Sequence, residues 1–252
     1  MALELKIGKC SRQVSEPFSD AISVLITQDF TACIAADGDR GWWDHGFGDF
    51  ISQRAISVVQ RELQRTIQRG LNRKCVSNAL RQTVRQAHTE LRTFGAIDRE
   101  LQNVMAATIV VAVWYEATVF LASVGDCRCY RLRGNQLEQL TVDDTLAAAC
   151  VAAGGISPEE AEAKNYDRIL WKFLGCADLG ECPAVTAWAL EPRDRYLLCT
   201  DGLRHFQADS QLQQHLQSEI DVQRCAERLC QQALDNGSRD NVSCIVVEVV
   251  EA

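Results

Sequence analysis

Five short segments of this chain each place an aspartate where a strand stops or starts: Ser19-Asp20, Asp37-Gly38, Gly125-Asp126-Cys127, Asp201-Gly202 and Arg239-Asp240-Asn241. Three of them follow runs of apolar and β-branched residues, Thr31–Ala36, Val119–Val124 and Tyr196–Thr200, while Asp240 precedes the run Val242–Val250. In an antiparallel sheet the end of one strand and the start of its neighbour share an edge, so carboxylates distant in sequence can meet there. Two carboxylates about 4 Å apart repel by roughly 4 kcal/mol at an effective dielectric near 20. A cluster of three or four therefore needs protonation or a bound cation. All-oxygen ligation suits Mg²⁺ or Mn²⁺ better than zinc, which takes His and Cys. Any single Asp-Gly pair reads equally well as a turn; the information lies in the combination.

A chain of 252 residues with 47% apolar and 24% charged residues can bury one large core. No apolar run approaches the roughly 20 residues that span a bilayer, and the opening MALELKIGKC alternates like a strand instead of forming a signal-peptide core. These features predict a cytoplasmic protein. A net charge of −8 excludes a general nucleic-acid binder. One basic stretch stands out, with Arg61, Arg65, Arg69 and Arg73 recurring every four residues, a stripe along one helix face. It reads as a solvated outer face, with a docking surface for an acidic partner as the alternative. The twelve cysteines include no CxxC pair, and several (Cys33, Cys199, Cys244) sit inside apolar runs. That spacing predicts reduced thiols packed as small hydrophobes. Cys127 and Cys129 would share one strand face.

No linker, repeat or low-complexity segment divides the chain, which reads as one domain over 1–252. Strands are predicted at Glu4–Ile7, Ala21–Thr27 and Thr31–Ala36, followed by helices near Phe50–Gln68 and Cys75–Thr93. Further strands follow at Thr108–Trp114, Thr118–Val124 and Cys129–Leu132, with Arg133-Gly134-Asn135 as a hairpin turn. Ser157-Pro158-Glu159-Glu160 reads as a capped helix start. Strands return at Ala184–Leu190 and Arg195–Thr200, then helices near Ser210–Gln217 and Val222–Leu234. Blocks of strands with paired helices predict an α+β fold, sheets covered by helices.

The ordered set VGDCRCYRLRGNQLEQLTVDDT, LLCTDGL and GSRDNVSCIVVEV, with MAATIVVAVW at Met105–Trp114 and KFLG at Lys172–Gly175, resembles the protein phosphatase 2C family of metal-dependent serine/threonine phosphatases. The similarity runs from near Asp20 to Glu248. It implies a four-layer α-β-β-α sandwich of two antiparallel sheets flanked by helix pairs, with metals at one end. Asp37 then resembles the carboxylate that bridges two metals, with the Gly38 carbonyl beside it, and Asp201 and Asp240 match further ligands. Asp126 matches an aspartate that can hold a third ion together with Asp201, and Asp20 falls where the family supports its metal shell. The resemblance implies two or three Mn²⁺ or Mg²⁺ ions, a phosphoprotein substrate attacked by water and a flap over 145–174. A monomer is expected.

The chain departs from the family in three places. Its first Asp-Gly is followed by DRGWWDHGFGDFIS, with about three extra residues; Ser19 stands where a glutamate is usual; Ser15 stands where many relatives carry a phosphate-gripping arginine. Arg12 or Arg40 is expected to supply the phosphate contact, since arginine suits bidentate phosphate binding. His45 is the candidate leaving-group acid. The same departures leave open a second reading, a phosphatase-like binding module without turnover. His88, His205 and His215 read as ordinary helix or cleft-rim residues, and Asp143, Asp144 and Asp178 as turn and cap residues.

Overall fold

The computed structural model describes residues 3–14, 18–38, 47–67, 72–97 and 105–251. Its strands are β1 (Leu3–Arg12), β2 (Asp20–Ile26), β3 (Thr31–Gly38), β4 (Ala107–Tyr115), β5 (Thr118–Val124), β6 (Arg128–Arg133), β7 (Gln136–Gln139), β8 (Val185–Ala189), β9 (Arg195–Cys199) and β10 (Val242–Glu251). They form two five-stranded sheets, β1-β10-β9-β6-β7 and β2-β3-β4-β5-β8, with every pairing antiparallel. The helices are α1 (Phe47–Ile67), α2 (Arg73–Gly95), α3 (Leu146–Ala152), α4 (Pro158–Ala163), α5 (Asp201–Arg204), α6 (Asp209–Ser218) and α7 (Val222–Asp235).

Strand alternation sorts the side chains into layers. In β3, Ala32, Ile34 and Ala36 pack against Ile51, Ala55 and Val58 of α1 and Leu80 and Val84 of α2. The intervening Cys33 and Ala35 face Val110, Leu198, Ile245 and Val247 in the core between the sheets. On the far side, Cys199, Cys244 and Val246 pack against Leu212 and Leu216 of α6 and Cys225, Leu229 and Cys230 of α7. The result is the four-layer α-β-β-α sandwich that the resemblance implied. All twelve cysteines are free thiols, and Cys127 and Cys129 lie buried on the inter-sheet side.

The same alternation, carried to the strand ends, builds a polar margin on the inter-sheet core. Asp37 follows Cys33 and Ala35 on that face. Thr200 follows Leu198, Ser243 precedes Ile245, and Asp20 lies directly opposite Asp37 in the β2–β3 register. Thr200 Oγ1 donates to Asp20 Oδ2 at 2.9 Å and accepts from Ser243 N at 3.2 Å. One buried hydroxyl thus joins the two sheets where the apolar core stops.

The predicted strands and helices are present with ends shifted by a few residues. Gly134, with φ +58, turns the β6–β7 hairpin. At α4, Ser157 N donates to Glu160 Oε2 at 3.0 Å and Glu160 N to Ser157 Oγ at 3.2 Å, the predicted capping box. The basic stripe is not one helix face. Arg61 and Arg65 lie on α1, whereas Arg73 begins α2 and reaches Glu116 at 3.5 Å; Arg69 lies outside the described residues. Arg61 contacts Glu62 at 2.8 Å and Glu90 at 2.6 Å, and Arg54 contacts Glu90 at 2.6 Å, so these charges tie α1 to α2. Asp143 is not a turn residue. It takes a two-pronged bond from Arg128, whose Nη2 lies 2.7 Å from its Oδ2.

Replacing Thr200 by valine keeps the shape but removes the inter-sheet hydroxyl and leaves Asp20 and the Ser243 amide short of a partner. Urea denaturation in the presence of a chelator should show a loss of about 1–3 kcal/mol.

Candidate metal centre

The backbone brings the predicted carboxylates together through close contacts that only glycine permits. A Cβ on Gly38 would lie 2.1 Å from Gly48 O, so the first turn of α1 rests directly on the end of β3. A Cβ on Gly202 would lie 2.0 Å from Asn241 O, which presses the start of α5 against the loop before β10. Ser238 Oγ adds a bond to Gly202 O at 3.0 Å. Asn241 is fully buried and fixes the same corner: its Oδ1 accepts from Val14 N at 3.0 Å and its Nδ2 donates to Ser19 Oγ at 3.2 Å.

Asp37, Gly38, Asp201, Gly202 and Asp240 line an open cleft of about 370 Å³ at this end of the sandwich. Asp201 opens α5, and one of its oxygens, Oδ1, is buried without a hydrogen-bond partner. Asp126 follows β5 and is held by Arg204, whose Nη2 lies 2.7 Å from Oδ2. Asp20 does not line the cleft. It is 2% exposed and is bonded to Thr200 behind Asp37.

The electrostatics follow from crowding in a desolvated place. Burial, and then the Asp20, Asp201, Asp240 and Asp126 charges, push Asp37 well above the usual carboxylate range. Burial pushes Asp20 up to about 6, against hydrogen bonds from Ser243 and Thr200 that favour the anion. Burial, followed by Asp126 and Asp240, pushes Asp201 up to about 7, with Arg204 opposing. Burial also raises Asp126, again opposed by Arg204. His205 moves the other way, down to about 3, through burial first and then Arg204, Arg168 and Arg128. It is a neutral imidazole at physiological pH.

These residues fit divalent cations. An orphaned buried carboxylate oxygen, several carboxylates raised by burial and then by one another's charge, and a cleft between them are what a bound cation would relieve. Asp126, Asp201 and His205 add a second grouping, with one ligand atom from each within 4.8 Å of the others. His205 Nδ1 lies 3.6 Å from Asp167 Oδ2 and 3.4 Å from Arg204 Nη1; with the ring proton on Nδ1, facing Asp167, Nε2 would keep its lone pair for a cation.

The phosphate contacts foreseen from sequence fare differently. Arg12 ends β1 exposed, on the strand face it shares with Cys10, and that face packs toward α7. It is not among the cleft residues. Arg40 and His45 lie outside the described residues. Arg168 and Arg239 line the cleft instead, together with His205 and Phe206. Arg239 stands inside the SRDN segment beside Asp240, so its position was readable. His205 follows Asp201 by four residues, a spacing that puts two side chains on one face of a helical turn. Nothing in the spacing marks Arg168.

A family model described as protein phosphatase 2C matches residues 7–245. The chain belongs to the protein phosphatase 2C family. It is similar to the serine/threonine phosphatase Stp of Listeria monocytogenes, 29% identical over 215 residues, 85% of this chain and 83% of that one. Among solved structures, the catalytic domain of the serine/threonine protein phosphatase PstP in complex with two manganese ions matches with a TM-score of 0.80 and 28% identity. That match covers 99% of this chain and all of the other. The S. agalactiae serine/threonine phosphatase superposes with a TM-score of 0.89 over 98% of this chain and all of that one; at 21% identity it bears on the fold alone.

Raised carboxylates carry a pH signature. A folded-state value of about 7 for Asp201 means that the folded protein holds a proton the unfolded chain has released. That contribution is complete below the unfolded value near 4 and is lost as pH rises through about 7. Chelator-treated protein should therefore lose a few kcal/mol relative to an Asp201→Asn variant between pH 4 and pH 8, read by urea denaturation. Parallel curves would contradict the assignment.

Proposed function

We propose that this chain is a divalent-metal-dependent phosphatase that hydrolyses phosphoserine and phosphothreonine in proteins, using Mn²⁺ or Mg²⁺. The observation that carries the reading is the half-buried carboxylate cluster at the open end of the sandwich, with Asp201 Oδ1 buried and unpartnered. Stp and PstP, which are named serine/threonine phosphatases, and the two manganese ions of the PstP structure support it.

Asp37, the Gly38 carbonyl, Asp201 and Asp240 would hold two ions, with Asp37 between them. Asp126, Asp201 and His205 would hold a further one. Asp20 serves as a buried brace to Asp37 and not as a ligand. Bound divalent cations lower the pKa of coordinated water and offset charge on phosphoryl oxygens. The remaining tasks fall to the chain. Arg168 and Arg239 have no side-chain ion pair or hydrogen bond among the described residues and reach the cleft from the flap and from the β10 approach. Each can give a phosphoryl group a two-pronged hydrogen bond. Phe206 supplies an apolar wall.

Among the described residues no cysteine lines the cleft, and the hydroxyl of Ser19 accepts from Asn241 Nδ2. Attack by water, in place of a covalent phosphoenzyme, fits that lining. The whole 1–252 chain is read as one catalytic domain, in keeping with the family match over 7–245. No helix among the described residues is long and apolar enough to cross a membrane. The alternative, a binding module without turnover, rests on the departures at Asp39–Phe47 and Ser15; Ser15 and residues 39–46 lie outside the described residues.

Phosphate release from a phosphothreonine peptide with Mn²⁺ tests the reading. Activity should disappear in EDTA and fall about 100- to 1,000-fold in Asp37→Asn or Asp201→Asn. Arg168→Ala and Arg239→Ala should each raise KM roughly 10-fold. Turnover that survives chelation would sink the metal mechanism, and inactivity with metal fully bound would favour the binding module.

A further inference from the structure

Among the described residues eight large hydrophobic side chains are exposed, and three of them gather at the flap and its root: Val142 (78%), Ile169 (48%) and Trp171 (61%). Single exposed apolar residues are ordinary, whereas an exposed tryptophan grouped with others beside a binding cleft marks a contact surface.

The segment that carries them is pinned. Leu146 N donates to Ile169 O at 2.7 Å, Leu170 bridges Thr145, and Trp171 N donates to Asp144 O at 2.6 Å. Asp144 is in turn locked to the residue before Asp126, its N donating to Gly125 O at 2.9 Å and its Oδ2 accepting from Gly125 N at 3.1 Å. Ile169 is extended, so Ile169 and Trp171 share one side of the segment. Of the basic side chains flanking them, Lys172 is engaged, its Nζ donating to Cys182 Sγ at 3.3 Å, and Arg168 lines the cleft. The surface therefore favours an apolar occupant over a charged one.

Position selects the occupant. Arg168, three residues before Trp171, lines the cleft. Three extended residues span on the order of 10 Å, the distance that two or three residues of an extended peptide would cover from a phosphoryl group held by Arg168. We infer that the Ile169–Trp171 face is a docking surface for the phosphoprotein substrate and selects an apolar side chain two or three residues from the phosphorylated one. The inference rests on the phosphatase reading above. A tryptophan held on a fixed backbone suits the task because little freedom is lost when a partner covers it.

The test compares kcat/KM with Mn²⁺ for p-nitrophenyl phosphate and for phosphothreonine peptides that carry leucine or serine two and three residues from the phosphothreonine, on either side. The wild-type enzyme should prefer leucine by about 10-fold, through KM. Trp171→Ser and Ile169→Ser should each bring the leucine-to-serine ratio toward one. No preference in the wild type would overturn the inference, as would an unchanged ratio in both variants or an equal loss on all substrates. A concentration-dependent dimer in sedimentation that Trp171→Ser abolishes would also overturn it, by assigning the face to a second copy. Failure of the phosphatase reading looks different: the wild-type chain would turn over none of these substrates.

Discussion

Like charges forced together at the rim of an apolar core are the constraint on which the rest of this structure depends. The two sheets bury an almost wholly hydrocarbon interface, and their alternation brings Asp37 and Asp20 to one margin of it. Repulsion at that margin, roughly 4 kcal/mol for a pair at 4 Å, has to be offset. The fold does part of this itself. Thr200 bonds Asp20, and Arg204 holds Asp126. Among the described residues it leaves Asp37 and Asp201 without a cationic partner of comparable closeness, and their raised protonation, from burial and then neighbouring charge, shows the remaining imbalance. A site kept in that condition sacrifices stability for the capacity to bind cations.

The surrounding charges are arranged around the same imbalance. Arg128 is committed to Asp143 and Arg204 to Asp126, so neither guanidinium is available for substrate. Arg168 and Arg239 line the cleft and are the contacts proposed for the phosphoryl group. On that proposal phosphate recognition is drawn from the flap and the β10 loop, whereas the carboxylates come from strand ends. The rigid part of the site is built into the sandwich, and the part that meets substrate is carried on connecting segments, where such functions commonly sit.

Much of this was legible in the sequence because it follows from period and punctuation. Apolar runs ending in aspartate marked β3, β5 and β9, and the order of the motifs marked the family. Errors arose where partners come from elsewhere in the chain. Asp143 looked like a turn residue because Arg128 lies fifteen positions away, on a neighbouring strand. Arg12 looked like a phosphate contact from its nearness to the metal aspartates in the motif order, yet strand parity sends it to the outer face with Cys10. His205, read as a helix or cleft-rim residue, does line the cleft, and its four-residue offset to Asp201 puts the two on one helical face. Arg168 was not readable, because only the return of the flap brings it to the cleft. The basic stripe failed at a helix boundary, where Asn72 caps α2 through the Cys75 amide and ends any common face.

The central claim is that the metal-free cluster keeps protons which cations displace. Calorimetric titration of the protein with Mn²⁺, in buffers of different ionisation enthalpy near pH 6.5, counts the protons released. With Asp201 raised to about 7 and Asp37 raised well above the usual carboxylate range, about one proton per protein should leave on binding, and more as the pH is lowered. Mn²⁺ binding with no proton release over that range would contradict the account.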